Sequence, residues 1–391
     1  MPGRGLERGR WQHGTGLAWA DLSGSGQSEA IDYYRDHPPH ARRHLSMNSP
    51  DPDPRLPLLQ RWLAERADRL GLQPESLRPA SDDASFRRYF RIDSPAAQGG
   101  SLIVMDAPPA REDCQPFLHA ATILREAGVS VPAVIDADLD SGFLLLEDLG
   151  NDTYLSCLNA ESASPLYQDA AAALVKLQLA SRPGVFPDYD RALLEREMQL
   201  YPDWYVARHK GVVLSEQQKH LLSESFDLLA KAALAQPRVY VHRDWHCRNL
   251  MRIDAERNPG VLDFQDAVYG PITYDLVSVL RDAYIDWPEE RQIDWSIRYW
   301  ETARRAGLPV ADDFGSFYRD FEWMGLQRQL KVLGIFARLQ HRDGKSRYLA
   351  DLPRVLGYAL AAARRYQALS GLVQVLEAVE SLVPAESGYT F

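Results

Sequence analysis

The chain has little cysteine and no long apolar run. Its 391 residues include three scattered cysteines, Cys114, Cys157 and Cys247. An odd number of isolated cysteines predicts free thiols in a reducing compartment rather than a disulfide framework. A membrane-spanning helix needs about 18 or more consecutive apolar residues, and no segment approaches that length. We therefore expect a cytoplasmic protein without a membrane span.

Positive charge is also scarce. The formal net charge is −10, whereas a nucleic-acid-binding face would need concentrated lysine and arginine. This balance argues against nucleic acid as a partner. Hydrophobic residues make up 45% and charged residues 25%, as in an ordinary soluble globular protein. The length allows two lobes with a sizeable core, and no feature indicates an obligate protein partner.

The first 46 residues lack the apolar periodicity found in the rest of the chain. They also lack the apolar segment of a secretory signal. We expect residues 1–46 to be a disordered leader, or an extension ahead of a natural start at Met47. Residues 47–147 are predicted to form a smaller lobe, and residues 148–391 a larger one.

A polar loop follows the apolar run at residues 239–241. The loop contains His242-Arg243-Asp244, and Asn249 follows five residues after the aspartate. Turn formers at residues 254–260 predict a hairpin tip, with a return strand that ends at Asp263. A hairpin of this size brings Asp263 back beside Asn249. The sequence thus predicts one pocket with two carboxylates and an amide oxygen.

That set of groups suits phosphoryl transfer. The reaction needs a hard cation held by oxygen ligands, and a carboxylate that accepts the proton of the attacking hydroxyl. The kinase catalytic loop H-R-D-x-x-x-x-N has the spacing seen here. We predict Asp244 as the base and Asn249 and Asp263 as Mg²⁺ ligands. His242 is expected to orient the loop by hydrogen bonds, with Asp275 as one partner.

A zinc site is the local alternative for this loop. His242 and His246 have the i, i+4 spacing of a zinc-binding helix motif. That motif needs a helix to place both rings on one face, whereas the apolar residues on either side favour a strand and loop. A metal hydrolase is therefore the weaker interpretation.

The smaller lobe has the order of a nucleotide-covering hairpin. A polar turn at 81–85, a strand at 86–92, a glycine-rich tip at 98–100 and a strand at 102–105 follow an amphipathic helix at 54–70. A helix is expected at 111–127, then strands at 129–134 and 142–146 around a turn at 136–141. The second of these strands leads into a predicted hinge where adenine would pair with the main chain.

Two usual kinase features are missing from this lobe. The turn has no G-x-G-x-x-G, and residues 103–106 read Ile-Val-Met-Asp where a strand lysine would stand. Some other cation must counter the phosphate charge, and Arg91 is a further candidate for it. The predicted nucleotide-binding residues are Ser81, Ser85, Arg87, Arg88, Glu147, Asp148 and Leu149.

The larger lobe contains a segment rich in aromatic rings and carboxylates. The helical pattern at residues 191–210 is broken at Pro202, since proline cannot donate a helix hydrogen bond. Rings and carboxylates suit a polar, ring-shaped substrate, although a half-buried helix face would look the same. The predicted substrate residues are Glu195, Tyr201, Trp204, Asp266 and Tyr284.

With these residues in place, the chain resembles the aminoglycoside phosphotransferase branch of the kinase-like superfamily. The likeness rests on residues 242–249, Asp263 and the Tyr-Asp-Leu at 274–276. The longer stretches at 83–91, 104–109, 143–150 and 261–275 resemble, within that branch, the bacterial anomeric kinases of N-acetylated amino sugars. The resemblance covers residues 47–370. It implies an α+β, bilobal protein-kinase-like fold with an antiparallel sheet in the small lobe and a mainly helical large lobe.

The resemblance also implies an activity. ATP and Mg²⁺ would be the cofactors, and N-acetylmuramate and N-acetylglucosamine the amino-sugar substrates. The product would be the sugar 1-phosphate, in cell-wall recycling. Two alternatives stay open: a kinase of an aminoglycoside or choline-like substrate, and a nucleotide-binding regulator without catalysis.

Overall fold

A five-stranded antiparallel sheet dominates the first part of the computed structural model, which describes residues 53–81 and 86–381. The predicted leader at 1–46 and the predicted contact Ser85 lie outside these ranges. The strands run in the order β1-β2-β3-β5-β4. Their bounds are β1 Gln73–Ser81, β2 Arg88–Asp93, β3 Ser101–Asp106, β4 Val134–Asp138 and β5 Phe143–Glu147. The helices of this lobe are α1 Leu56–Ala64, α2 Ala67–Leu70 and α3 Gln115–Glu126.

The two faces of the sheet belong to different cores. Adjacent strand residues point to opposite faces, so Val104 and Met105 are both fully buried but in separate clusters. Val104 packs in a small outer cluster with Trp62 of α1. Met105 packs in the main core, which continues through α3 into the large lobe. The inner face is therefore the face that borders the large lobe.

Two predictions for this lobe need correction. Strand β1 was not predicted, because Pro74 and Pro79 read as loop signals; it lies at the sheet edge, where proline is tolerated. The strand expected at 129–134 begins only at Val134 and continues through Asp138. It lies at the other edge of the sheet, and Asp136 pairs there with Arg66 and Arg69, so its aspartates belong to a strand although they read as turn formers.

The large lobe is mainly helical, as predicted. Two short pairings, β6 with β9 and β7 with β8, carry its loops. The helices are α4 Tyr154–Cys157, α5 Ala163–Leu179, α6 Arg191–Met198, α7 Glu216–Ala235, α8 Tyr274–Leu280, α9 Glu289–Arg305, α10 Phe314–Asp343, α11 Leu352–Ala363 and α12 Ser370–Ser381. The strands are β6 Arg238–Val241, β7 Leu250–Met251, β8 Gly260–Val261 and β9 Val268–Pro271.

Helix α10 is the central support of this lobe. It has 30 residues, begins at the capping side chain of Asp313 and ends at Gly344 in the left-handed conformation. It packs against α7, α8 and α11 and carries buried polar residues in its middle third. None of the helices among the described residues is long and apolar enough to cross a membrane.

The break predicted at Pro202 is present. Helix α6 ends at Met198, and the chain continues as a π-helix, Tyr201–His209. Proline fits the first turn because an N–H there would have no intrahelical partner. The change in helical period alters which side chains after residue 200 share a face with those before it.

Candidate active site

Two buried carboxylates hold the backbone of the loop at 242–249. The main-chain N–H groups of His242 and Arg243 donate to Asp275 over 2.6 and 2.9 Å. The N–H of Cys247 donates over 2.8 Å to Asp282, which follows α8. Asp275 was predicted to lie beside this loop, and it does. The equivalent contact of Asp282 was not predicted.

The ring of His242 also supports the loop. Burial lowers the pKa of His242 to about 4, so the ring is neutral near pH 7. Its Nδ1 atom can therefore accept a hydrogen bond from the Asp244 N–H at 3.3 Å. Both the main chain and the side chain of His242 thus restrain Asp244, as the expected loop-orienting role requires.

Two residues of the site have left-handed backbones. Arg243 has a φ of 77° and Asp263 a φ of 64°. For residues other than glycine this conformation costs roughly 1–3 kcal/mol and persists only where the surroundings impose it. At Arg243 they do, since its N–H is held by Asp275 and its guanidinium contacts Glu197 at 2.5 Å. Such strain is typical of functional loops.

The hairpin brings Asn249 and Asp263 together, as predicted. Leu250 pairs with Val261 across β7 and β8, and the Asn249 Nδ2 atom lies 3.3 Å from Asp263 Oδ2. The same Nδ2 donates to the main-chain oxygen of Asp244 at 3.0 Å, which turns the amide oxygen away from that bond. An amide oxygen and a carboxylate fit Mg²⁺, because they are hard oxygen donors that leave positions for water and phosphate.

Asp244 lies among positive charges. Burial alone would raise its pKa, but the positive field around it outweighs burial and holds the pKa well below the ordinary value. Asp244 is therefore ionised at any working pH and able to accept a proton. The groups that lower its pKa are Lys331, His246, Arg243 and Arg328.

Behind Asp244 lies a buried ionic network. The Oε1 atom of Glu197 contacts the guanidinium of Arg243 at 2.5 Å and the Lys331 Nζ atom at 3.0 Å. Its Oε2 atom accepts a hydrogen bond from the Tyr189 hydroxyl. Burial opposes ionisation of Glu197, but the charges of Lys331 and Arg243 lower its pKa to about 2. Glu197 thus neutralises the two cations and holds Arg243 in place.

A second group of side chains borders Asp244. The rings of His246 and Tyr284 meet edge to face at 5.4 Å, and Arg248 lies 4.1 Å above the Tyr284 ring. Arg328 of α10 is 5% exposed, and its Nε atom has no hydrogen-bond partner among the described residues. The same holds for Nδ1 of His246. Buried polar atoms without partners are costly, so these groups are suited to a polar ligand.

The predicted hinge follows β5 as a tightly bonded turn. The carboxylate of Asp148 accepts from Arg91 at 2.5 Å, from Ser101 at 2.7 Å and from the Gly150 N–H at 2.9 Å. Glu147 pairs with Arg257 at 2.8 Å. A cavity of about 430 Å³ opens here, lined by residues 147–151 and by Ile253 and Arg91, but it does not reach Asp244.

The hinge side chain Leu149 packs against the hairpin. A Cβ atom on Gly260 would lie 2.7 Å from the Leu149 Cδ1 atom, so a larger residue at the start of β8 would displace the Leu149 side chain. Among the described residues, none accepts a hydrogen bond from the Leu149 N–H. The main chain there is available to a ligand.

The arginines of β2 have separate roles. Arg88 binds the fully buried carboxylate of Asp106, which also binds Arg55 at 2.5 Å. Arg87 instead pairs with Glu112 at 3.1 Å. Ser81 ends β1 opposite Tyr89. The structure therefore places Arg88 in a half-buried ion pair with Asp106, whereas Arg87 interacts electrostatically with Asp263 and Asp266.

The predicted substrate residues divide into two sets. Asp266 and Tyr284 lie at the site: the main-chain oxygen of Asp266 accepts from Arg243 at 3.3 Å, and Tyr284 packs on His246. The residues before and within the π-helix do not join them. Glu195 forms an exposed pair with Arg191, Tyr201 is fully buried beside Tyr205, and Trp204 packs partly buried against the main core.

Several residues of the site had no predicted role. They are Glu112, Asp282, Arg328 and Lys331. The sequence contains one signal that could have identified Arg328 and Lys331. Arg328 and Lys331 interrupt the apolar pattern of a long helix, where a charged residue needs a buried partner.

A five-stranded sheet over a helical lobe, with an Asp-Asn-Asp set on a loop and hairpin, defines the kinase-like phosphotransferases. The family comparison agrees, since the model of the Phosphotransferase enzyme family matches residues 76–314. The chain belongs to this family and is a phosphotransferase.

Curated relatives are similar over most of the chain. The N-acetylmuramate/N-acetylglucosamine kinase of Pseudomonas aeruginosa is 51% identical over 305 residues, which cover 78% of this chain and 88% of the relative. The protein of the same name from Neisseria meningitidis serogroup B is 49% identical over 316 residues, covering 80% and 93%.

Solved structures share the fold at low sequence identity. The choline kinase LicA from Streptococcus pneumoniae has a TM-score of 0.55 at 12% identity and covers 78% of this chain and 99% of its own. An ADP-bound aminoglycoside phosphotransferase, APH(2'')-Ib, has a TM-score of 0.50 at 14% identity and covers 75% and 96%. These likenesses confirm the predicted bilobal α+β fold.

Proposed function

We propose that this protein is an ATP-dependent kinase that phosphorylates the anomeric hydroxyl of N-acetylmuramate and N-acetylglucosamine. The observation that carries the proposal is the cluster of Asp244, Asn249 and Asp263 on a rigid loop and hairpin. The relatives at 49–51% identity carry the names of kinases of these two sugars, which supports the choice of substrate. The sugar 1-phosphate would then return to cell-wall synthesis.

The acceptor chemistry suits Asp244. An anomeric hydroxyl is more acidic than an ordinary alcohol, because the ring oxygen withdraws electron density. The base therefore need only accept the proton late, in a loose transition state. Because its pKa is depressed, Asp244 is a weak base, but it is always ionised. Its position is fixed by His242 and the loop amides. Orientation is then its main contribution.

The donor side also has suitable groups. Asn249 and Asp263 would hold Mg²⁺, which neutralises charge that builds on the phosphates. The free N–H of Leu149 at the hinge would pair with the adenine edge. Arg91 and Ser101 fix Asp148 and so keep the hinge main chain in position.

The acceptor side offers polar groups without partners. Arg328 Nε and His246 Nδ1 are buried beside Asp244 and would gain hydrogen bonds from a polar ligand. The Tyr284 ring beside them offers a flat surface for the C–H face of a sugar. These features favour a hydroxyl-rich acceptor. Arg328, which is buried beside Asp244, disfavours a polycationic aminoglycoside, because the two would repel each other.

The test is ATP consumption with Mg²⁺ against N-acetylmuramate, N-acetylglucosamine, glucosamine, choline and kanamycin. We expect turnover on the two N-acetyl sugars, with a product that no longer reduces alkaline copper because its anomeric carbon is blocked. Turnover should stop when Mg²⁺ is chelated and return when it is restored. Turnover on choline or kanamycin alone would refute the substrate assignment. Turnover on none of them, with intact ATP binding, would favour a regulator.

A further inference from the structure

Strand β3 has no lysine for the nucleotide phosphates. In protein kinases a lysine of this strand pairs with the phosphates and with a glutamate of the following helix. Here β3 reads Ser101–Asp106, and its inward-facing residue near the end is Met105, which is fully buried in the main core. The inner face of β3 therefore lacks a cation where the phosphates would approach.

The strand register identifies the nearest substitute. Tyr89 of β2 lies directly opposite Met105 of β3, so the two side chains share the inner face. Arg87 comes two residues before Tyr89, just ahead of the strand, and continues the same side of the chain. Arg88 points to the other face, where it binds Asp106 together with Arg55. Of these two neighbouring arginines, only Arg87 lies on the side of the inner face.

Arg87 has a defined partner. Its Nη2 atom lies 3.1 Å from the Glu112 carboxylate, and the two side chains are only 11% and 14% exposed. Glu112 lies just before α3, the helix that follows β3. The pair therefore links the residue before β2 to the loop that leads into α3, the helix that in protein kinases supplies the glutamate.

The surroundings of Arg87 point toward the phosphate site. Burial alone would lower its pKa, but nearby acidic groups outweigh burial and raise the pKa above its usual value. These groups are Tyr89, Glu112, Asp266 and Asp263. Asp263 is the proposed Mg²⁺ ligand, so the guanidinium lies within electrostatic reach of the position where the metal and the phosphates would meet.

We propose that Arg87 is the cation that clamps the nucleotide phosphates, and that Glu112 is its positioning residue. The inference rests on the proposed use of ATP. An arginine suits the displaced position, because its planar fork presents several N–H donors and can contact a carboxylate and a phosphate together. A lysine has a single compact charge and could not hold both groups in a fixed plane.

Binding of Mg-ATP and of adenosine to four variants tests this proposal by calorimetry. Arg87→Met should weaken Mg-ATP binding at least tenfold and leave adenosine binding unchanged, since adenosine has no phosphates. Arg87→Lys should retain part of the affinity, and Glu112→Gln should give a smaller loss with the same selectivity. Arg61→Met, an exposed site on α1, is the matched control and should behave as wild type.

Comparing the two ligands separates a clamp from a structural role, because a structural loss would weaken the binding of Mg-ATP and adenosine alike. Equal Mg-ATP affinity in Arg87→Met and wild type would overturn the proposal, and so would equal losses for Mg-ATP and adenosine. If Arg87→Met does not fold, the selectivity of Arg87→Lys and Glu112→Gln decides the question.

These binding measurements do not depend on the sugar. A wild-type protein that binds Mg-ATP but phosphorylates neither N-acetyl sugar would refute the proposed acceptor and leave the clamp to be judged from its own data. A wild-type protein that phosphorylates the sugars while Arg87→Met keeps full Mg-ATP affinity would refute the clamp alone.

Discussion

Two segments of the large lobe have similar composition and different uses. The loop at 242–249 and the segment at 195–204 both combine aromatic rings with acidic side chains. The loop carries the proposed base Asp244, and buried carboxylates fix the loop backbone. In the other segment, the buried carboxylate of Glu197 faces inward and binds Arg243 of the loop. Glu197 thus supports the loop that carries the proposed base.

The difference shows that the composition of a segment does not reveal which way its side chains face. Rings beside carboxylates predict a sugar site at residues 195–204. At residues 195–204, however, the π-helix buries Tyr201 in the core, and Glu195 projects to solvent. Only the tertiary partners of Glu197, which are Tyr189, Arg243, Gln327 and Lys331, reveal its role.

The largest expected effect is at Asp244. Asp244→Asn should lower kcat by about 10²–10⁴-fold, because an amide cannot accept the proton, while Mg-ATP still binds. Asp203→Asn, an exposed aspartate of the other segment, should leave kcat unchanged. Single-turnover rates and ATP titrations measure both. Normal turnover of Asp244→Asn would show that Asp244 is not the base.

The next effect separates two glutamates of α6. Glu197→Gln should lower the free energy of unfolding by about 3–5 kcal/mol, since it leaves Arg243 and Lys331 buried without their carboxylate. Glu195→Gln removes only an exposed pair and should stay within about 0.5 kcal/mol of wild type. Denaturant unfolding measures the two variants. A similar loss in both would contradict the assignment of Glu197 as the buried support.

The ionisation of Glu197 should also make the stability of the protein depend on pH. The pKa of Glu197 is about 2 in the folded protein against 4.5 for an ordinary glutamate carboxyl, so its stabilisation is complete above pH 4.5. It is lost as the pH falls toward 2, by on the order of 3 kcal/mol. Stability of wild type should therefore fall more steeply than that of Glu197→Gln between pH 4.5 and 2. Parallel curves would exclude this linkage.

The smallest effect is expected at Tyr201. Its buried hydroxyl has no hydrogen-bond partner among the described residues, so Tyr201→Phe should change stability by less than about 1 kcal/mol. The KM for N-acetylglucosamine should not change, because the ring lies in the core. Tyr284→Ala, by contrast, should raise that KM. A raised KM in Tyr201→Phe would show that the segment at 195–204 does contribute to the acceptor site.

The sequence by itself predicted the contacts that are local along the chain. The strand, polar loop and hairpin between residues 238 and 263 form within one short segment, so the spacing of Asp244, Asn249 and Asp263 predicts that they meet. Asp275 follows soon after and was also expected beside the loop. The break at Pro202 depends on a missing N–H, which is a property of the residue itself.

Only the tertiary structure decided which distant groups meet. Lys331 and Arg328 reach Asp244 because α10 packs under the loop, and no local pattern encodes that packing. Alternation along β2 separates Arg87 from Arg88, but it does not say which side faces the cleft. Helix α1 packs on the outer face of the sheet, where Arg88 pairs with the buried Asp106. Arg87 lies on the other side and interacts electrostatically with Asp263 and Asp266.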